Sequence, residues 1–296
     1  HVKEVLRFCA EVGKNAADFY LDNGADVVAV VDPMTSQISP DHFREFVQPY
    51  VDEIFDYIQD RNGMSSLFVC GNATRNMEAM CQTHCDNLSI DENIPLDYVR
   101  DLAQEHGKSY GGNLRLTTVL LLGNENDAKR DALACIETAG DKGFILAPGC
   151  DLPYSTPERN LQAVAEIVHD EYQREVARKS MGTISEWNIV DIDLPDYTHE
   201  NKVIIDVITL DSASCAPCQY MVGAVTDAAN RLGGMVEIRE HKITTHDGLA
   251  HMSKLGVGQI PTICIDGEVK FPSIIPDIDT LVKAIQEKAQ EKADSA

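Results

Sequence analysis

Five short apolar runs, separated by stretches with helical periodicity, fill the first 180 residues, and no other feature limits the possible folds as much. The runs are residues 27–31, 67–70, 88–90, 110–114 and 144–147. They are too short for helices, and most are apolar on both faces, as strands buried in a parallel sheet must be. Helical spacing covers 2–22, 43–58, 77–85, 95–106, 126–139 and a long stretch at 157–179. In the first of these, Val5, Phe8, Cys9, Val12, Ala16, Phe19 and Tyr20 recur on one side. Asn23-Gly24, Asp32-Pro33, Asn62-Gly63 and Pro148-Gly149 punctuate the elements, and Ser39-Pro40-Asp41 opens a helix. Thr156 reads as an N-cap, with Pro157 at the first helical position and Glu158 beside the positive helix end. Strands alternating with helices imply a parallel sheet with helices packed outside it.

The pattern stops at residue 180. Residues 181–201, with Met181-Gly182-Thr183 and Asp193-Leu194-Pro195-Asp196, read as an acidic linker that Trp187 pegs to a surface. Residues 202–292 restart as a compact α/β unit. It has strands at 203–210 and 235–241, a helix at 215–231 and a short helix at 246–255. Two further strands flank the hairpin signal Asp266-Gly267, and a last helix carries Ile278, Leu281, Val282 and Ile285 inward.

A net charge of −23 argues against nucleic-acid binding, which needs clustered Lys and Arg, and against docking on anionic lipid. The charge is uneven, −19 over residues 1–200 and −4 over 201–296, which suggests separate origins for the two parts. No apolar run approaches the ~18 residues of a membrane span. Nine cysteines, an odd number scattered through apolar runs, suit a reducing cytoplasm rather than a secreted disulfide framework. The chain begins at His1 without a Met, so position 1 is not read as a natural start and targeting is not assigned.

The motif with the clearest chemistry is Cys215-Ala216-Pro217-Cys218, which follows a strand and opens a helix. Backbone N–H groups and the helix dipole there favour a Cys215 thiolate, and the spacing lets Cys218 resolve a mixed disulfide. A metal pair or an inert pair is the alternative; no second Cys pair lies nearby, and His241, His246 and His251 show no ligand spacing. Together with Gly258-Gln259-Ile260-Pro261-Thr262, a hairpin and a helix, the whole of 202–292 resembles a thioredoxin-like domain of the short, glutaredoxin-like type. That resemblance implies a cis Ile260–Pro261 bond facing the dithiol, which makes Pro261 a site residue beside Cys215 and Cys218.

Residues 15–175 resemble the uroporphyrinogen decarboxylase superfamily. The matching series is Gly24-Ala25-Asp26 leading to Asp32, Ser39-Pro40-Asp41-His42-Phe43, Pro49-Tyr50, Gly112-Asn113-Leu114, Leu120-Leu121-Leu122-Gly123 and Thr156-Pro157-Glu158-Arg159-Asn160. The resemblance implies a TIM (β/α)8 barrel, of which about five βα units are present and the first three are missing. The expected fold class is thus α/β, a partial barrel over 1–180 followed by a small thioredoxin-like domain. An open sheet edge would expose unpaired backbone. Either the chain is a fragment of a longer protein, the reading we take, or a partner covers that edge.

Within the superfamily, Ala147-Pro148-Gly149-Cys150 matches the methylcobamide:coenzyme M methyltransferase branch rather than the decarboxylases. In α/β folds chemistry sits at the carboxyl ends of strands, where this stretch presents Cys150. That branch also carries a His-x-Cys-Gly-Asn segment. It reads Phe68-Val69-Cys70-Gly71-Asn72 here, with Phe68 at the His position. The resemblance implies a Zn²⁺ held by one His and two Cys, activating a thiol that attacks a methyl group on a corrinoid carried by a partner protein. Phe cannot ligate, which leaves three readings of Cys70 and Cys150. They bind zinc with a replacement such as Glu92, they form a thiol pair serviced by the Cys215/Cys218 dithiol, or they pack as small hydrophobes. His84-Cys85 near Cys81 reads as an ordinary helix face, and Asp91-Glu92 as an exposed turn. The leading functional expectation is a corrinoid-dependent, zinc-thiolate methyltransferase-like protein with a tethered redox domain. A tetrapyrrole decarboxylase and a non-catalytic corrinoid-protein-binding or redox adaptor are the alternatives.

Overall fold

The strands of the first part are ordered as their sequence order suggests. In a computed structural model that describes residues 1–180 and 190–295, β1 (Val27–Val31), β2 (Met64–Val69), β3 (Asn87–Ile90), β4 (Ser109–Leu114) and β5 (Phe144–Pro148) form one parallel sheet in the order β1-β2-β3-β4-β5. The chain divides into two compact units, His1–Ile184 and Ser185–Ala296. Met181-Gly182-Thr183 and Trp187 lie outside the described residues.

In the first unit the core lies between the sheet and its helices. Leu67, Val69, Leu88, Ile90 and Tyr110 pack against Phe55, Met77, Met80, Val99, Leu120 and Leu133. The helices are α1 (Val2–Asp22), α2 (Pro40–Phe46), α3 (Gln48–Asp60), α4 (Met77–Cys81), α5 (Leu96–Glu105), α6 (Glu125–Ala139), α7 (Glu158–His169) and α8 (Glu171–Ser180). Ser39 caps α2 by accepting from the His42 N–H at 3.2 Å. Two stretches read as continuous helices are broken. Pro49 has no N–H and clashes with the preceding turn, so the helix restarts at Gln48. Asp170 is extended between α7 and α8, where its carboxylate accepts from the Gln173 N–H at 3.1 Å. The N-cap of α7 is Pro157, not Thr156, whose hydroxyl is buried without a hydrogen-bond partner. Pro157 is itself extended, with ψ 123°, so the helix begins one residue later, at Glu158.

The apolar stripe of α1 faces outward. Phe8 is 69% exposed and Phe19 66%, while Ala10 and Ala17 are buried with Ile54 and Ile58 of α3. A Cβ on Gly13 would lie 2.7 Å from Ile54 Cδ1. The small residues at 10, 13 and 17 allow the close approach, and with Leu6 and Leu21 they form the packed face in place of the stripe through Phe8 and Phe19. The outer strands β1 and β5 each have one neighbour, and Val27, Val31 and Ile145 are exposed along them.

The second unit is built on β6 (Val203–Thr209), which is buried along its whole length. Its sheet has the order β7-β6-β8-β9, with β7 (Val236–Lys242) parallel to β6, β8 (Thr262–Ile265) antiparallel to β6, and β9 (Glu268–Pro272) antiparallel to β8. Asp266 and Gly267, both at positive φ, make the expected hairpin. Helices α9 (Ala216–Leu232) and α11 (Ile278–Ser295) pack with Val203, Ile205 and Val207 on one face of the sheet. Ile208 and Cys264 form a second cluster with Leu255, beyond α10 (His246–Lys254). The segment read as linker belongs in part to this unit: Leu194 and Tyr197 pack in that cluster, and the Tyr197 hydroxyl donates to Asp206 at 2.8 Å.

Candidate functional site

Register brings the ends of β1 to β5 level, so Asp32, Cys70, Asp91, Arg115 and Cys150 all leave the sheet at its carboxyl edge. Two glycines permit the chain to turn there. Gly71 has φ +79°, and its N–H donates to Asp91 Oδ2 at 2.7 Å. At Gly149 an added Cβ would come within 2.5 Å of the Glu92 backbone nitrogen, so Pro148-Gly149 passes where no side chain fits.

Cys70 and Cys150 are partly buried free thiols that hydrogen-bond to each other. In a flat sheet β2 and β5 would stand about 14 Å apart, three strand spacings of ~4.8 Å. Their thiols interact because Cys150 lies beyond the end of β5, where Pro148-Gly149 passes against the backbone of Glu92 just after β3. The hydrogen bond makes the pair unequal. It pushes the Cys70 thiol up, with burial adding to the rise, and pulls Cys150 below the ordinary thiol range against the opposing effect of burial. Asp91 and Asp151 disfavour a thiolate at either position. Of the two, Cys150 is the sulfur that more readily gives up its proton.

Asp91 and Glu92 are not an exposed turn. Asp91 is buried and accepts from the N–H groups of Gly71 and Asn93, and burial raises its pKa. Glu92, in the turn after β3, sends its side chain elsewhere. There its carboxylate accepts from the Leu116 N–H and lines a cleft of about 360 Å³ with Asn113, Arg115, Asp131 and Cys135. Burial pushes its pKa up to about 8. The structure therefore brings Asp91 to the cysteine pair and leaves Glu92 behind it. Phe68 shares the Cys70 face of β2 by alternation. Among the described residues, the one place where three His, Cys, Asp or Glu ligand atoms lie within 4.8 Å of one another is elsewhere, at His241, Asp247 and His251. Two thiols without a third ligand do not fit a catalytic zinc centre with three protein ligands. Cys81 and Cys85 are buried, burial pushes Cys81 up to about 12, and His84 turns to Asp52 and Asp56. They form no metal centre.

Asn160, in the motif at the start of α7, is fully buried. Its amide donates to the carbonyls of Leu120 at 2.9 Å and Gly123 at 3.1 Å, which fastens α7 to a π-helical turn at Leu116–Leu121 that the sequence reading did not resolve.

In the second unit Cys215 and Cys218 form a disulfide. Cys215 is the N-cap of α9, and its sulfur accepts from the Cys218 N–H at 3.4 Å. Cys215 is partly exposed and Cys218 fully buried, so an incoming thiolate or disulfide reaches Cys215 first. The Ile260–Pro261 bond is cis. Thr262, which follows it, pairs with Ile208 near the carboxyl end of β6, the end from which the chain runs to Cys215.

His241, on β7, and His251, on α10, are brought together although their sequence spacing gave no sign of it; their rings stack at 3.8 Å. Among the described residues no helix is long and apolar enough to cross a membrane.

Comparison with known proteins matches this two-part architecture. The first unit is similar to the methylcobamide:CoM methyltransferase MtbA of Methanosarcina acetivorans, 26% identical over 167 residues, covering 56% of this chain and 48% of that protein. It is similar to MtaA of Methanosarcina barkeri at 29% identity, covering 57% and 49%. A uroporphyrinogen decarboxylase of Anaeromyxobacter is 29% identical over 147 residues, 49% of this chain and 41% of that protein. Among solved structures, a methyltransferase from Methanosarcina mazei superposes with a TM-score of 0.51 at 25% identity, covering 59% of this chain and 49% of that one. The chain spans about half the length of the curated relatives it matches. The thioredoxin domain profile matches residues 203–286. The uroporphyrinogen decarboxylase (URO-D) profile matches residues 1–171, more than half of the chain, and the chain belongs to that family.

Proposed function

We propose that this chain is a thiol-active member of the methyltransferase branch of its family, in which a tethered dithiol keeps the cysteine pair of the half-barrel reduced. The observation that carries the reading is the Cys70–Cys150 interaction at the carboxyl edge of the sheet, which favours a thiolate on Cys150. The methyltransferases it resembles act, by name, on methylcobamide and coenzyme M. The partners inferred for this chain are therefore a corrinoid carrier and a small thiol. A thiolate is the form of sulfur that accepts a methyl group, and it is also the form that oxidises.

If an oxidant such as a peroxide takes two electrons and two protons from Cys70 and Cys150 and leaves them as a disulfide, the reduced Cys215 thiolate attacks one of its sulfurs. The Cys70–Cys150 S–S bond breaks and a mixed disulfide forms. Cys218, as its thiolate, then displaces the second sulfur, which leaves Cys70 and Cys150 reduced and Cys215–Cys218 oxidised. A small-molecule or protein dithiol restores the latter. Tethering raises the effective concentration of the dithiol above that of a free reductant.

The test is mild oxidation of the full chain with diamide, followed by excess dithiol reductant and mass-spectrometric thiol mapping. The expected result is that C215S/C218S recovers reduced Cys70 and Cys150 at least tenfold more slowly than the parent. Equal recovery refutes the redox role. The absence of a third ligand at the cysteine pair favours a second reading, a redox adaptor that binds a corrinoid protein without transferring methyl groups. Incubation with methylcobalamin and coenzyme M separates the two. Methylated coenzyme M that disappears in C150A supports the transferase, and recovery of the thiols without methylated product supports the adaptor.

A further inference from the structure

We propose that His241, Asp247 and His251 form a binding site for a divalent transition-metal ion of the zinc class. One ring nitrogen from each histidine and a carboxylate oxygen of Asp247 lie within 4.8 Å of one another. The two histidines come from different elements, the edge strand β7 and helix α10, so the site exists only in the folded unit.

The surrounding hydrogen bonds hold both rings in ligand form. His241 directs Nε2 to Asp206 Oδ1 at 2.7 Å, and its side chain is 11% exposed. Asp206 is itself buried and fixed by the Tyr197 hydroxyl on its other oxygen. An imidazole that donates through Nε2 to a carboxylate carries its lone pair on Nδ1. Metal-binding histidines commonly have such a carboxylate behind them, which fixes the tautomer and raises ligand basicity. His251 directs Nδ1 to the Asp247 carbonyl at 2.9 Å, which leaves the lone pair on Nε2. Ring stacking at 3.8 Å and 18° sets the spacing. Two zinc–nitrogen bonds of about 2.0–2.1 Å at a tetrahedral angle hold their nitrogens about 3.4 Å apart with converging lone pairs, whereas stacked rings hold theirs in near-parallel planes, so binding requires one ring, that of His251 on α10, to rotate out of the stack toward the ion. Asp247 is exposed, with its Oδ2 3.4 Å from His251 Nδ1, so its carboxylate must leave that contact to ligate an ion, and its exposure leaves room for a water as fourth ligand. Two nitrogens and one carboxylate suit zinc, and nickel or copper by the same chemistry; they do not suit magnesium or calcium, which prefer all-oxygen sites. This site is separate from the cysteine pair, and its failure would leave the thiol reading untouched.

The test is a titration of the full chain with zinc chloride while the Cys215–Cys218 disulfide is intact, so that the dithiol cannot chelate. Imidazole nitrogen and carbon-bound proton resonances report each histidine separately. His241 and His251 are expected to shift together and to saturate at one equivalent. H251A is expected to bind at least 100-fold more weakly, and D206N 10–100-fold more weakly, since Asp206 acts through His241. D247N, at an exposed position, is expected to lose at least tenfold and serves if circular dichroism shows H251A unfolded. Unmoved His241 and His251 signals at saturating zinc, or parent affinity in D247N and H251A, would overturn the proposal.

Discussion

Glu92 makes the stability of the half-barrel depend on pH in a direction that a single substitution can isolate. Its carboxyl is raised from 4.5 to about 8, first by burial, with the Asp91 and Asp131 charges adding and the Leu116 N–H and Arg115 opposing. The folded state therefore keeps a proton that the unfolded chain releases above pH 4.5. The stabilisation is complete below that pH and is lost as pH rises toward 8. At about 1.4 kcal/mol per pH unit, the whole window is worth about 5 kcal/mol, and the part between pH 6 and pH 8 about 2 kcal/mol. Asp91 and Asp131 are also raised by burial and drift the same way, so the parent alone cannot assign the effect. E92Q keeps an oxygen to accept from Leu116 and carries no titrating proton. The assay is hydrogen exchange with mass spectrometry on peptides covering β3 and β4, comparing parent and variant at each pH so that intrinsic exchange chemistry cancels. Going from pH 6 to pH 8, the parent should lose about 30-fold more protection than E92Q, the equivalent of about 2 kcal/mol. Parallel loss in the two proteins would refute the assignment of a buried, protonated Glu92.

Three further outcomes follow from the same contacts. C70A removes the hydrogen bond that favours the Cys150 thiolate. The pH midpoint of Cys150 alkylation by iodoacetamide should then rise, and labelling at pH 7 should slow about tenfold per unit of rise; an unchanged midpoint would show that the two thiols do not interact. N160A strips the Leu120 and Gly123 carbonyls of their buried donor, and urea denaturation should show a loss of about 2–4 kcal/mol. G149A places a Cβ 2.5 Å from the Glu92 nitrogen, and overpacking against backbone should cost about 1–3 kcal/mol, read as lost exchange protection in β3 and β5.

The elements of both units were legible because local chemistry decides them. Short apolar runs became the strands and Asp266-Gly267 the hairpin, within a residue or two except at β2, which begins at Met64, three residues before its apolar run. The breaks at Pro49 and Asp170 were legible in principle but masked by helical spacing that continued across them. The face of α1 was misleading for a different reason. Periodicity reports that an apolar stripe exists, and close helix packing chose the smaller one, through Ala10, Gly13 and Ala17.

The sequence by itself determined which segments are strands and helices, the family of residues 1–171, and the place of the Cys215/Cys218 pair at a helix start. Those follow from neighbours a few residues apart. Only the tertiary structure decided which side chains meet. The path of the chain beyond β5 brings Cys150 to Cys70 across two intervening strands, the turn after β3 sends Asp91 to the Gly71 N–H and Glu92 to the Leu116 N–H, and packing of α10 beside β7 stacks His251 on His241. These encounters depend on the curvature and crossing of whole elements, summed over many residues, and no local spacing encodes them.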